Sequence, residues 1–119
     1  MLTCLISDIF CKIINKELPA NIVAENDDWL AINDIHPQAP VHVLIISKKH
    51  FVGLEEARES DAELLGKLLL AANQIAQKLN LEKGFRLIIN RGEDSGQLVP
   101  HFHIHLLGGR RLGAKIIKD

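Results

Sequence analysis

The sequence is poor in aromatic side chains, with no tyrosine, one tryptophan and four phenylalanines among 119 residues. Single-stranded nucleic acids bind largely by stacking their bases on aromatic rings, so a surface of that kind is not expected. An excess of one charge is also missing, because 14 Lys and Arg balance 15 Asp and Glu for a formal net charge of -1. Neither nucleic acid nor an anionic membrane is therefore expected as a partner, and recognition of a phosphate would have to be local.

Long apolar runs and cysteines are scarce as well. No run approaches the roughly 20 residues that span a bilayer, and the apolar start at residues 2–6 is too short for a signal peptide. The two cysteines, Cys4 and Cys11, could form one disulfide, but a chain that is 47% hydrophobic does not need one to build a core. We expect one cytoplasmic domain over residues 1–119, with its core at about residues 8–109, and no membrane partner.

The pattern of apolar residues predicts two helices and five strands. Asp8 can cap a short helix that ends near Glu17, and a capping-box sequence at residues 60–63 can open a long helix over residues 61–79. Strands are expected at residues 22–25, 29–34, 42–47, 85–90 and 101–107. This order predicts an α+β fold with one mainly antiparallel sheet, one long helix and a short N-terminal helix.

Three of the six histidines alternate along the last predicted strand, at His101, His103 and His105. Alternate residues of a strand share one face, so the three imidazoles are expected in a row about 7 Å apart. Phe102 and Ile104 would then point into the core. Such a row could be a polar surface, a set of zinc ligands, or a nucleophile with its acid–base partner.

The segment before this strand favours the third reading. Gly92, Ser95 and Gly96 lie in the loop at residues 91–100 and would let backbone N–H groups approach a phosphate. A glycine-containing loop is weak evidence alone, but here it leads directly into the histidine row. A zinc site formed by the three histidines would not need such a loop.

Residues 101–107, His-Phe-His-Ile-His-Leu-Leu, match the pattern of the histidine triad (HIT) superfamily, in which histidines alternate with apolar residues. Similar motifs elsewhere include Ile9–Ile14, residues 34–40, residues 48–50 and residues 108–109. The Gly-Gly-Arg that follows the triad resembles the Hint branch, and His105 in place of glutamine argues against nucleotidyl transfer between sugars. The chain is therefore identified as similar to Hint proteins.

The resemblance implies a HIT-like homodimer with paired sheets that hydrolyses purine nucleoside phosphoramidates and aminoacyl-adenylate-like conjugates without a metal or other cofactor. His103 would attack the α-phosphorus and form a covalent nucleotidyl-histidine, which water opens to release AMP or GMP. The backbone carbonyl of His101 would orient His103, and His105 would contact the phosphate and the leaving group. His42 and the side chain of His101 would extend the hydrogen-bond network beneath.

The resemblance also implies nucleotide-binding residues. Asp34 would accept hydrogen bonds from the ribose hydroxyls. The base would lie between apolar side chains, and the phosphate and ribose would meet the loop: the residues are Phe10, Leu18 and Ile35 for the base, and Asn90, Gly96 and Gln97 for the phosphate side. His36 and His50 are expected at the surface.

Three departures from the family pattern qualify these expectations. Leu98 stands where Hint proteins often carry a polar residue near the leaving group, so a purine nucleotide-binding or scaffold protein with little turnover is the main alternative. Asp8 stands where some relatives have the first cysteine of a zinc site, which predicts no zinc here, although a zinc-dependent hydrolase using the triad remains a second alternative. The tail at residues 112–119 lacks the aromatic residue through which relatives reach the partner's site.

Overall fold

A computed structural model of the chain describes residues 8–113. The expectations for Cys4, for the N-terminal apolar run and for most of the C-terminal tail lie outside these residues. No helix within residues 8–113 has the length and apolar character that a membrane crossing requires.

The predicted α+β fold is confirmed. The helices are α1 (Ile9–Ile14) and α2 (Ala62–Lys78), and the strands are β1 (Ile22–Glu25), β2 (Trp29–Asn33), β3 (Val41–Ser47), β4 (Phe85–Ile88) and β5 (His103–Gly108). The five strands form one antiparallel sheet in the order β1-β2-β3-β5-β4. Strands β3 and β5 thus lie in the interior of the sheet together with β2, and β1 and β4 are the edge strands of the sheet.

Each face of the sheet has its own apolar cluster. Helix α2 covers one face with its buried residues Leu68, Ala72 and Ile75, and it packs on Ile45 and Ile104. Helix α1 covers part of the other face, where Phe10 and Ile14 contact the even-numbered side chains of β3. Because side chains alternate along a strand, β5 sends Ile104 and Leu106 toward α2 and its two histidines toward α1.

The predicted N-terminal cap is found at one helix and not at the other. Asp8 caps α1 as predicted, since its Oδ1 accepts a hydrogen bond from the backbone N–H of Cys11 at 2.7 Å. The capping box predicted at residues 60–63 is wrong. Residues Glu59–Asp61 instead form a 3-10 turn, in which the Asp61 carboxylate accepts from the backbone N–H of Arg58 and from Lys49.

Candidate active site

The sheet face opposite α2 carries three of the predicted histidines. His103 and His105 lie on β5, and His42 lies beside them on β3. The register places Ile46 opposite His103 and Leu44 opposite His105. Both strands are central in the sheet, and their paired backbones hold the imidazoles on a rigid base, with His103 paired to β3 and His105 paired to both β3 and β4.

One hydrogen bond determines which nitrogen of His103 can react. Its Nδ1 lies 2.7 Å from the backbone carbonyl oxygen of His101. A carbonyl oxygen only accepts hydrogen bonds, so Nδ1 carries the proton and Nε2 of the neutral ring keeps its lone pair. Burial lowers the pKa of His103, which keeps this ring neutral at physiological pH.

A second chain of hydrogen bonds gives His105 the opposite tautomer. The backbone N–H of Gln38 donates to Nδ1 of His42 at 3.1 Å, so the proton of neutral His42 is on Nε2. That Nε2 lies 2.9 Å from Nδ1 of His105 and donates to it. His105 must then carry its own proton on Nε2. Burial, together with the charges of His103 and His42, lowers the pKa of His105 to about 4.

His103 and His105 are therefore neighbours with complementary chemistry. Their ring centroids are 4.9 Å apart, closer than the spacing along the strand, and the ring planes are inclined to each other by 59°. The Nε2 of His103 carries a lone pair, whereas the Nε2 of His105 carries a proton and can donate a hydrogen bond. This arrangement suits attack on an electrophile by His103 while His105 stabilises negative charge on an adjacent atom.

A cavity of about 170 Å³ opens onto this pair. Most of the residues predicted for the site line it, together with two that were not predicted, Leu44 and Val99: the predicted ones are Phe10, Asp34, Asn90, Gly96, Gln97, Leu98, His103 and His105. Leu18 and Ile35 are exposed and are not among the lining residues, with Ile35 at 83% exposure. His42 and His101 lie behind the cavity and support it.

Phe10 connects the cavity to the core. Its ring packs edge-on against His103, with centroids 5.0 Å apart, and against His101 at 5.9 Å. It is buried in the cluster beneath α1 and also forms part of the cavity wall. The short helix α1 therefore helps to position the nucleophile candidate.

Asp34 lies at the cavity beside His42. Its Oδ1 accepts a hydrogen bond from the backbone N–H of His36 at 2.8 Å, which forms a tight turn. Its Oδ2 is 3.4 Å from Nε2 of His42. The carboxylate is partly exposed and can accept further hydrogen bonds, which fits the predicted ribose contact.

The glycine-containing loop has the backbone shape that its sequence suggested. Gly92 and Gly96 have φ values of +83° and +78°, a region that favours glycine, and they flank a 3-10 turn at Glu93–Ser95. The Gln97 side chain braces the loop from within. Its Oε1 accepts from the backbone N–H of Gly92 at 2.9 Å, and its Nε2 donates to the carbonyls of Val52 and Val99, each at 3.1 Å. The amide is thus occupied by the protein itself, which leaves the backbone of Gln97 for any phosphate contact.

His101 does not belong to the row that the sequence predicted. It precedes β5, and its ring is 0% exposed. Its Nε2 donates to the carbonyl of Ser47 at 2.6 Å, and its Nδ1 lies 3.1 Å from Oδ2 of Asp8. The polar-surface reading of the triad is therefore wrong for this residue.

The predicted surface position of His50 is also wrong. The Nε2 of His50 lies 3.1 Å from the same Oδ2 of Asp8, and its ring packs edge-on against His101 at 4.8 Å. The sequence showed Asp8 only as a helix cap. No local pattern could reveal its contact with His101, since 93 residues separate the two.

Two sets of side chains within residues 8–113 are close enough to hold a metal ion. The ligand atoms of each set lie within 4.8 Å of one another: one set is Asp8, Cys11, His50 and His101, and the other is Asp34, His42 and His105. Neither contains the full triad that the zinc-hydrolase alternative requires. Among the described residues every buried side-chain nitrogen and oxygen has a hydrogen-bond partner.

Comparison with known proteins places this arrangement in a family. The chain is 53% identical over 102 residues to an uncharacterized HIT-like protein of Synechocystis sp., covering 86% of this chain and 90% of the relative. Its fold matches a HIT family hydrolase from Clostridium thermocellum with a TM-score of 0.89 and 51% identity, covering 92% of this chain and 96% of that one. A HIT family hydrolase from Legionella pneumophila matches with a TM-score of 0.88 and 45% identity, covering 90% and 96%. The HIT domain family matches residues 15–112, and the chain belongs to it.

Proposed function

We propose that this protein is a Hint-like hydrolase of purine nucleoside phosphoramidates and of aminoacyl-adenylate-like conjugates, releasing AMP or GMP. The observation that carries the proposal is the pair of opposite tautomers at His103 and His105. A lone pair and an N–H donor lie side by side at one cavity, as displacement at phosphorus requires.

The reaction would proceed in two displacements. In the first, Nε2 of His103 forms a bond to the α-phosphorus while the bond from phosphorus to the leaving nitrogen breaks. A proton from solvent, delivered at the N–H of His105, goes to the leaving nitrogen, which departs as a neutral amine, and the same N–H stabilises the charge that develops on the phosphate oxygen. In the second, water attacks phosphorus and releases a proton to solvent while the bond to His103 breaks, which restores the neutral ring whose Nδ1–H stays on the carbonyl of His101.

The nucleotide would extend from this point along the cavity. Asp34 would accept hydrogen bonds from the ribose, and Asn90, Gly96 and Gln97 would border the phosphate. Phe10 would contact the base from within the cavity, and the exposed side chains of Leu18 and Ile35 would contact it from outside. Apolar contacts of this kind suit either purine.

The direct test is mass spectrometry of the protein acid-quenched during turnover of adenosine 5′-monophosphoramidate. We expect one adenylyl group on the peptide that contains His103. The alternative of a binder with little turnover draws support from Leu98, which is 92% exposed at the cavity and offers no polar side chain to a leaving group. Tight AMP binding with no adduct and no released AMP would favour that alternative.

We also propose that the protein is a homodimer that pairs its sheets through β4. This strand is hydrogen-bonded to β5 on one side only, and an unpaired edge is a template for another strand. Phe85 on β4 is exposed, as are Leu69 and Leu70 on α2. Sedimentation velocity is expected to show a dimer that Phe85→Lys weakens, and a monomeric wild-type protein would contradict the proposal.

A further inference from the structure

One wall of the cavity is formed by a loop in which no residue is buried. We refer to residues 91–98 as the cavity loop, and Gly96, Gln97 and Leu98 are the members that line the cavity. Hydrogen bonds inside the loop stabilise its 3-10 turn, as where the N–H of Gly96 donates to the carbonyl of Glu93 at 3.0 Å. Between its two ends the cavity loop is therefore held on the protein by polar contacts rather than by burial of apolar surface.

Two polar contacts join the cavity loop to the segment that follows β3. Arg91 pairs with Glu55, but their side chains are 41% and 54% exposed, so this ion pair contributes little. The other contact is the partly buried hydrogen bond from Nε2 of Gln97 to the carbonyl of Val52, at 3.1 Å. In the part of the chain that the structure describes, no further hydrogen bond or ion pair joins the loop to a residue beyond its immediate neighbours in the sequence. The Gln97 amide is therefore the main attachment of the loop.

Val52 is a firm anchor, because the chain around it is held at several points. The ring of Phe51 is buried and stacks on the ring of Phe102, with centroids 4.9 Å apart. The carbonyl of Phe51 accepts a hydrogen bond from the backbone N–H of Phe102 at 2.7 Å, and the N–H of Val52 donates to the Glu56 carboxylate at 2.8 Å. The carbonyl of Val52 thus presents a fixed acceptor to the Gln97 amide.

The carboxamide of Gln97 has all of its hydrogen-bonding capacity in use. Its Nε2 donates to the carbonyls of Val52 and Val99, each at 3.1 Å. Its Oε1 accepts from the backbone N–H of Gly92 at 2.9 Å and from Nη1 of Arg91 at 3.3 Å. A carboxamide has two N–H donors and one oxygen with two lone pairs, so these four contacts leave no donor or acceptor for a substrate. The side chain can therefore influence a reaction only through the position of the loop.

We propose that Gln97 is a positioning residue, which docks the cavity loop on the carbonyl of Val52 and so fixes the wall that borders the phosphate. The inference rests on the proposed function, in which Gly96 and its neighbours border the phosphate of a bound nucleotide. Without the Gln97 contact, an exposed ion pair is the remaining polar attachment of the loop, which is then free to move away from His103 and His105. Misplacement of such a wall by about 1 Å can cost on the order of 100-fold in rate.

The kinetic test uses Gln97→Met, which keeps an unbranched side chain of similar length and the same charge but makes none of the four hydrogen bonds. We expect KM for adenosine 5′-monophosphoramidate and the Kd of AMP each to rise about 10-fold, and kcat/KM to fall by about 10- to 100-fold. A variant that is merely less stable would lose active protein and so lower kcat, while the KM of its folded fraction stays the same. Gln77→Met on the exposed face of α2 is the matched control and should behave as the wild type.

The second readout is amide hydrogen exchange of the ligand-free protein, which depends on no substrate. In Gln97→Met the amides of Ser95 and Gly96 should exchange about 10-fold faster than in the wild type, while those of β5 keep their rates. A direct contact between Gln97 and substrate would leave exchange in the ligand-free protein unchanged. Circular dichroism and thermal melts check that the variant is folded. Gln97→Asn, whose amide is one methylene too short to reach Val52, is the second variant and should show the same changes.

The outcomes separate this inference from the proposed function. If the folded variants exchange their loop amides at the wild-type rate, the loop does not depend on Gln97 and the inference is overturned. Faster exchange with unchanged KM and unchanged AMP affinity would also overturn it, because the position of the loop would then not matter to the nucleotide. If the wild type binds AMP but hydrolyses no phosphoramidate, the proposed function fails, and AMP affinity together with exchange still decides the role of Gln97. A wild type that does not bind AMP would overturn both.

Discussion

Replacing His103 by alanine is expected to lower kcat by on the order of 10⁴- to 10⁶-fold, with no nucleotidyl adduct detectable after acid quenching. Of the two imidazoles within residues 8–113 that line the cavity, the variant loses the one whose outward nitrogen holds a lone pair. His105 cannot take over, because its outward nitrogen carries the proton that His42 and Gln38 impose. AMP binding should persist, since the rest of the cavity wall remains.

Single-turnover kinetics with an adenosine phosphoramidate, paired with AMP titration, measure the two effects separately. His36→Ala is the matched control, because its side chain is exposed outside the cavity. Activity of His103→Ala within about tenfold of the wild type would show that another group attacks phosphorus.

The same assignment predicts how the wild-type rate varies with pH. His103 must be neutral to attack, and burial lowers its pKa below the ordinary value of 6.5. The neutral form then persists to lower pH than in an exposed histidine. The acid limb of kcat/KM for the free enzyme should accordingly lie below pH 6.5, and a limb above that value would contradict the burial argument.

The second large effect is expected at His105. His105→Ala should lower kcat by roughly 10²- to 10⁴-fold for a substrate with an amine leaving group. The loss should be much smaller for a nitrophenyl ester of AMP. A nitrophenolate is stable as an anion and needs little help to depart, whereas an amine depends on the N–H at His105.

Comparison of the two substrates is therefore the informative measurement. His105→Gln is the matched variant, because a carboxamide keeps an N–H donor while losing the ring. It should retain more activity than His105→Ala toward the amine substrate. An equal loss with both leaving groups would mean that His105 acts on the phosphate oxygens alone or only maintains the structure.

Much of the fold followed from local patterns. The apolar stripe of α2 is periodic at helical spacing, and the helix extends over Ala62–Lys78, close to the predicted residues 61–79. The five strands were likewise located by short apolar runs between turn residues. Such patterns are reliable because burial of one face of a helix or strand dominates its stability.

Three predicted positions are wrong for one shared reason. His101 was expected on the open face of a strand and lies fully buried before one, while His50 was expected at the surface and contacts Asp8. Ser60 was expected to cap α2, but a preceding 3-10 turn starts the helix instead. In each case a partner distant in the sequence, or the path of the chain outside regular elements, overrides the local preference.

The sequence by itself determined that His103 and His105 share one face and that Phe102, Ile104 and Leu106 oppose them, because alternation along a strand is a property of the extended backbone. Only the tertiary structure decided what each imidazole can do. The proton positions depend on the carbonyl of His101 and the backbone N–H of Gln38, and main-chain atoms leave no signature in side-chain identity. The contact between Asp8 and His101 likewise exists only because α1 folds back beneath the start of β5.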